Sequence, residues 1–275
     1  MRRALLSATL ALTLAPPALG AALRGGKTID VAHSARDVRH PDEQHELRIF
    51  VPKEARGQRR IPLVVFLHGV NKKTVRFHSM GGSAGEHPLD VREVVAELVG
   101  RGDVAPFVLA GPTTRESAKL PRTLFAHYDL DRTVEEVVRA LGAETTIDLD
   151  RVVVAGHSGG ACNPGGGLAS ALAGTSLRVL AGMSIDACMT EDDARSLAEA
   201  PSETELVVTW QPYTWQRDYA TYGTILSEVR KGAEGKVVLS ELTPPPQKGV
   251  HGRMVRYSFE AHLPRLLGTG ASAAR

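Results

Sequence analysis

What the sequence lacks narrows what it can be. Its 275 residues contain two cysteines, Cys162 and Cys188, so one pairing is all that the thiols allow. No charge predominates: 33 basic residues face 31 acidic ones. Two of the basic residues are Arg2 and Arg3, and without them the signs balance. Nothing marks a nucleic-acid or membrane surface, and a small-molecule or polymeric substrate fits better. Beyond residue 20 no run is long and apolar enough to span a bilayer. The stretch Gly81-Gly82-Ser83-Ala84-Gly85 lacks the lysine and spacing of a phosphate loop. His40 and His45 stand among acids without metal-ligand spacing. Neither a cofactor nor a metal is expected, and oligomeric state leaves no signature.

What is present begins with a leader. Met1-Arg2-Arg3 is a positive start, Ala4 to Ala15 is apolar but too short for a bilayer, and Ala18-Leu19-Gly20 offers small residues for cleavage. A signal peptide over 1–20 is expected, with the mature chain periplasmic or secreted. In an oxidising compartment an even cysteine count favours a Cys162–Cys188 disulfide.

At 43% hydrophobic content the remainder can bury one large core. Residues 21–45, polar and without clear periodicity, read as an N-terminal arm; 46–268 as the domain; 269–275 as a flexible tail. Within the domain, strand and helix patterns alternate. Strands are expected at Glu46 to Pro52, Leu63 to Leu67, Ala105 to Ala110, Arg151 to Ala155, Leu177 to Ile185, Glu205 to Trp210 and Lys236 to Leu242. Helices are expected at Asp90 to Val99, Leu130 to Leu141, Glu191 to Ala198, Trp215 to Lys231 and Met254 to Leu266. Such alternation predicts an α/β, doubly wound, mainly parallel sheet with helices on both faces. The loop from Asn71 to Pro88 is long enough to form a wall or lid.

One stretch organises the rest. The buried, β-branched run Arg151-Val152-Val153-Val154-Ala155 leads into Gly156-His157-Ser158-Gly159-Gly160. Glycines two residues either side of a serine fit a sharp strand-to-helix turn that lifts the hydroxyl above the sheet. The Gly159 amide would then face a developing oxyanion. His157 is read as structural. Upstream, a second buried strand runs into His68-Gly69-Val70. Pro164 and Gly165-Gly166-Gly167 should weaken the helix after the turn.

A serine needs a base to activate it and a third group to orient that base. His251, in the turn-like Gln247-Lys248-Gly249-Val250-His251-Gly252, is preferred over His262, which lies inside a helical run and reads as a surface or packing residue. For the acid, Asp186 closes a strand at its carboxyl end, and a bridge from Cys188 to Cys162 would tie its loop to the segment after Ser158. Asp218, beyond the next strand, is the alternative, and Asp192 and Asp193 follow.

These motifs together resemble the secreted α/β-hydrolase serine esterases, the polyhydroxybutyrate-depolymerase and feruloyl-esterase-like group. The likeness runs through Leu47 to Pro52, Pro62 to Gly69, Ile147 to Ser158 and Val250-His251-Gly252. It implies the α/β-hydrolase fold, Ser158 as nucleophile, His251 as base, an oxyanion hole from the amides of Gly159 and Val70, and an ester substrate. A serine peptidase or amidase of the same fold would share the acyl-enzyme, and a non-catalytic binding protein could keep the fold.

Overall fold

The computed structural model describes residues 23–34, 45–71, 75–82, 89–114, 124–213, 218–246 and 249–270. The leader expected over 1–20 and residues 271–275 of the expected C-terminal tail lie outside the described residues, as do 72–74 and 83–88 of the expected lid loop. The strands are β1 (Lys27–Ser34), β2 (His45–Val51), β3 (Ile61–Leu67), β4 (Val108–Thr114), β5 (Ile147–His157), β6 (Val179–Ile185), β7 (Glu205–Trp210) and β8 (Val237–Glu241). They form one eight-stranded sheet in the order β1-β2-β4-β3-β5-β6-β7-β8. β1 and β2 run antiparallel to their neighbours, and every pairing from β4 onward is parallel.

The interior strands are apolar on both faces because helices cover both. β3 is buried at every position, and each such Val, Leu, Ile or Phe contributes about 1.5–3 kcal/mol by leaving water. Among the described residues six helices supply the cover: α1 (Val91–Gly100), α2 (Leu130–Leu141), α3 (Gly167–Ala173), α4 (Glu191–Ala198), α5 (Tyr219–Val229) and α6 (Val250–Leu267). α1 packs with α6, while α4 packs with α3 and α5. From α6, Phe259 meets Phe66 of β3 edge to face, with ring centroids 6.4 Å apart. Short polar side chains start several helices by accepting otherwise orphaned amides. Asp90 accepts from the Arg92 amide ahead of α1, Asp129 from Arg132 ahead of α2, and Thr190 with Asp193 forms a reciprocal capping box for α4.

Several elements depart from expectation, three of them away from the site. Lys27–Ser34, read as part of an arm, is the edge strand β1 and pairs from Lys27 opposite Val51 to Ser34 opposite His45. The strand expected at Ala105 to Ala110 starts later and runs through Gly111-Pro112. Proline is tolerated there because β3 pairs with β4 only from Val108 to Ala110, so the missing N–H costs no ladder bond on that side. Part of the loop expected as a lid packs inward instead: Phe77 and Met80 are buried, and the Arg48 guanidinium lies 3.9 Å from the centre of the Phe77 ring.

Candidate active site

β5 delivers Ser158 in a left-handed conformation, φ 53°, a strain that a non-glycine residue accepts only where the surroundings impose it. The surroundings are tight. A methyl group on Gly160 would stand 2.6 Å from the carbonyl oxygens of both Leu67 and His68, so only glycine lets the turn close against the end of β3. Ser158 is 9% exposed, and its carbonyl accepts the amides of Ala161 and Cys162.

The expected irregularity after the turn is present. Ser158–Gly160 forms a single 3-10 turn, and α3 does not begin until Gly167. The intervening residues dock on the segment 124–127. Asn163 donates Nδ2–H to the Leu124 carbonyl at 2.7 Å, and the Gly167 amide donates to Phe125 at 2.9 Å.

The loop after β3 meets the turn from the other side. The Val70 amide nitrogen lies 3.3 Å from the point a Cβ on Gly159 would occupy, with the Val70 and Leu124 side chains closer still. Gly159 thus packs closely against Val70 and Leu124. His68 anchors this loop: Nδ1–H donates to the Gly69 carbonyl at 2.6 Å, and Nε2 faces the Thr113 hydroxyl at 3.3 Å. Its ring packs edge-on against His78 and Phe125.

Asp186 follows β6 directly, fully buried and also left-handed at φ 45°. Its loop is fixed at successive residues. The Asp186 amide donates to the Thr209 carbonyl at 2.7 Å; Ala187 accepts from the Tyr219 hydroxyl at 2.6 Å; Cys188 is bridged to Cys162, Cα to Cα 5.4 Å. The disulfide therefore joins the second residue after this acid to the turn after Ser158.

Asp186 Oδ2 accepts from His251 Nδ1–H at 2.6 Å. A proton on Nδ1 leaves the lone pair on Nε2, the state in which an imidazole can act as a base. His251 stands in the first turn of α6, not in a turn ahead of it, because the helix begins at Val250 behind Gly249 at φ 79°. His157, read as structural, packs on His251 with ring centroids 4.6 Å apart and donates Nε2–H to its carbonyl at 3.0 Å. Burial, with the nearby His251 charge, holds the pKa of His157 well below the ordinary imidazole range. It is thus a neutral brace for the neighbouring imidazole.

Asp186 and His251 are thus bonded to each other at the carboxyl edge of the sheet, and Ser158 with Gly159 follows the adjoining strand β5, and Val70 the next strand, β3. The alternatives stand elsewhere. Asp218 caps α5, accepting from the Thr221 amide at 3.0 Å and its hydroxyl at 2.6 Å, and those bonds lower its pKa. Asp193 belongs to the α4 capping box, beside an exposed Asp192. His262 is buried in α6 and packs. Among the described residues no group of three or more His, Cys, Asp or Glu could hold a metal ion.

No family model matches the chain, and no curated protein sequence matches it. Solved structures do. The feruloyl esterase module from Clostridium thermocellum, an S954A mutant with sinapinate, aligns at TM-score 0.58 and 12% identity over 88% of each chain. An S-formylglutathione hydrolase from Agrobacterium tumefaciens aligns at 0.54 and 16%, covering 88% of this chain and 96% of the other. The acylaminoacyl peptidase of Pyrococcus horikoshii aligns at 0.54 and 15%, with 88% of this chain matching only 42% of that one. Identities this low speak to architecture alone, and together with the sheet order and the strained turn at Ser158 they identify the fold as that of the α/β-hydrolases.

Proposed function

We propose that this chain is a serine hydrolase of carboxylic esters, with Ser158 as nucleophile, His251 as base and Asp186 as the acid that orients it. The observation that carries the reading is the Asp186–His251 hydrogen bond, 2.6 Å long with the acid fully buried, at the end of the strand next to the one that delivers a serine held at φ 53°. Esterases among the structural neighbours support it. His251 Nε2 takes the hydroxyl proton as Ser158 Oγ bonds to the ester carbonyl carbon. The carbonyl π pair moves onto oxygen, where the Gly159 and Val70 amides stabilise it. Collapse expels the alcohol, which leaves with the proton from His251. Water then attacks the acyl-enzyme, its proton passing to His251 and on to Ser158 Oγ as the carboxylic acid departs.

The wild-type protein should label with a fluorophosphonate and turn over simple esters, whereas Ser158→Ala should do neither; a folded wild type that fails to label sinks the reading. A panel of esters of graded acyl length, with a peptide alongside, separates ester from amide preference. We further propose that the protein is exported, on the strength of the leader pattern and of the Cys162–Cys188 bridge, which needs an oxidising compartment. N-terminal sequencing of the mature protein should then find its start near Ala21.

A further inference from the structure

Gln211 lies immediately after β7, and the role assigned to it below rests on the triad reading above. An amide buried completely must satisfy both its carbonyl and its NH2 group within the protein. The Tyr213 amide donates to Oε1 at 2.6 Å. Only oxygen can accept, so that bond fixes which way the side chain faces and turns Nε2 toward the neighbouring strand end. There Nε2–H donates to Asp186 Oδ2 at 3.1 Å, the same oxygen that takes His251 Nδ1–H.

We propose that Gln211 is a positioning residue for the acid: a neutral donor that holds Oδ2 of Asp186 in line with His251. A carboxylate with two oxygens can present either one, or rotate away. Two donors converging on Oδ2 from β7 and α6 select one oxygen and one orientation, and the second donor favours the ionised form. Neutrality matters as much as position. A carboxylate at 211 would compete with Asp186 in a buried site where two like charges cannot both be sustained, and an apolar side chain would leave Oδ2 with one donor fewer. Among the described residues the titratable groups around this arrangement include His157 against His251, with His68 and His78 beyond it, and Tyr219, whose hydroxyl donates to the Ala187 carbonyl.

Two variants test the proposal. Gln211→Met removes the donor at nearly constant volume. Gln211→Glu keeps an oxygen for the Tyr213 amide, and so folds even where Met does not; as a neutral acid it still donates to Oδ2, and on ionisation it becomes a repelling charge. The first readout is independent of turnover: the low-field proton resonance of His251 Nδ1–H, identified by its loss in His251→Gln. It should be present in the wild type, displaced upfield or broadened away in Gln211→Met, and in Gln211→Glu present at acidic pH and lost as the new carboxyl ionises. The second is ester hydrolysis. kcat in Gln211→Met should fall about tenfold to a hundredfold with KM little changed, and Gln211→Glu should acquire a descending alkaline limb that the wild type lacks. Variants whose resonance and pH–rate profile both match the wild type overturn the proposal, as does a wild type without the resonance. If the resonance behaves as expected but no Ser158-dependent hydrolysis is found, the serine-hydrolase reading fails and the role of Gln211 in orienting Asp186 stands.

Discussion

Two neighbouring strand ends, those of β6 and β7, offer an acidic or amide side chain to the same edge of the sheet and use it in opposite ways. At β6 the acid comes at once: Asp186 is fully buried, left-handed, bonded to His251, and two residues from a disulfide. At β7 the first side chain past the strand is the neutral Gln211, and the carboxylate comes only at Asp218, exposed to solvent and spent on capping α5. Burial and partners separate them. A carboxylate in water is solvated equally well in many orientations and holds an imidazole in none, whereas one buried among directed donors has a single orientation to offer.

Removing what both ends serve is the most severe way to break this comparison. Ser158→Ala and His251→Ala should each lower kcat by roughly six orders of magnitude, and the double variant should be little worse than either, because the residues act as a unit. Steady-state kinetics on a chromogenic ester decides it, and additive losses would dissolve the unit. The comparison itself is tested next. Asp186→Asn should lose about 10⁴ in turnover by disturbing the imidazole tautomer, while Asp218→Asn should keep near wild-type kcat and only slightly lower the melting temperature. Losses of equal size at the two positions would erase the distinction.

The disulfide sharpens it further. Reducing Cys162–Cys188, or replacing both cysteines by serine, should cost about 3 kcal/mol of stability for a bridge closing 26 residues of separation, seen as a lower thermal midpoint. Activity well below that midpoint should fall too, since the bridge holds the Asp186 loop to the turn after Ser158. Lost stability with turnover intact would make the bridge a staple only. The smallest effect concerns pH. Burial lowers the pKa of His78, His157 and His262 from 6.5. Below about pH 6.5 the unfolded chain takes up protons that these folded imidazoles refuse, so stability is full above that pH and declines as pH falls toward their lowered values. Melting curves from pH 8 to pH 5 should show the decline, and His157→Gln should flatten it.

Much of this arrangement is legible in the sequence because interior strands buried on both faces write long apolar runs, and because the turn at Ser158 demands glycine where the backbone of β3 presses against it. Asp186 is legible for the same reason, as a charged residue ending an apolar strand. β1 is less so: an edge strand with exposed Lys27, Thr28 and Asp30 offers only the short alternation of Ile29 and Val31 to read. The start of α6 is masked by Gly249 and Gly252, which look like turn residues while one serves as the left-handed entry to the helix. Gln211 and His157 give no sequence signal. Their roles arise from hydrogen bonds spanning 25 and 94 positions, and nothing local to either residue records its distant partner.

The late start of α3 has an evolutionary consequence. The field of a helix fades within its first turn, so a helix that opens at Gly167 adds little at Ser158, and the turn that carries Ser158 is steadied instead by the packing of Asn163 and Gly167 on Leu124 and Phe125. Natural variation in the length and composition of α3 is thereby uncoupled from the chemistry. The selective constraint that would ordinarily fall on that helix falls instead on Asn163 and on the segment it grips, so relatives of this chain should diverge freely in the one and scarcely in the other.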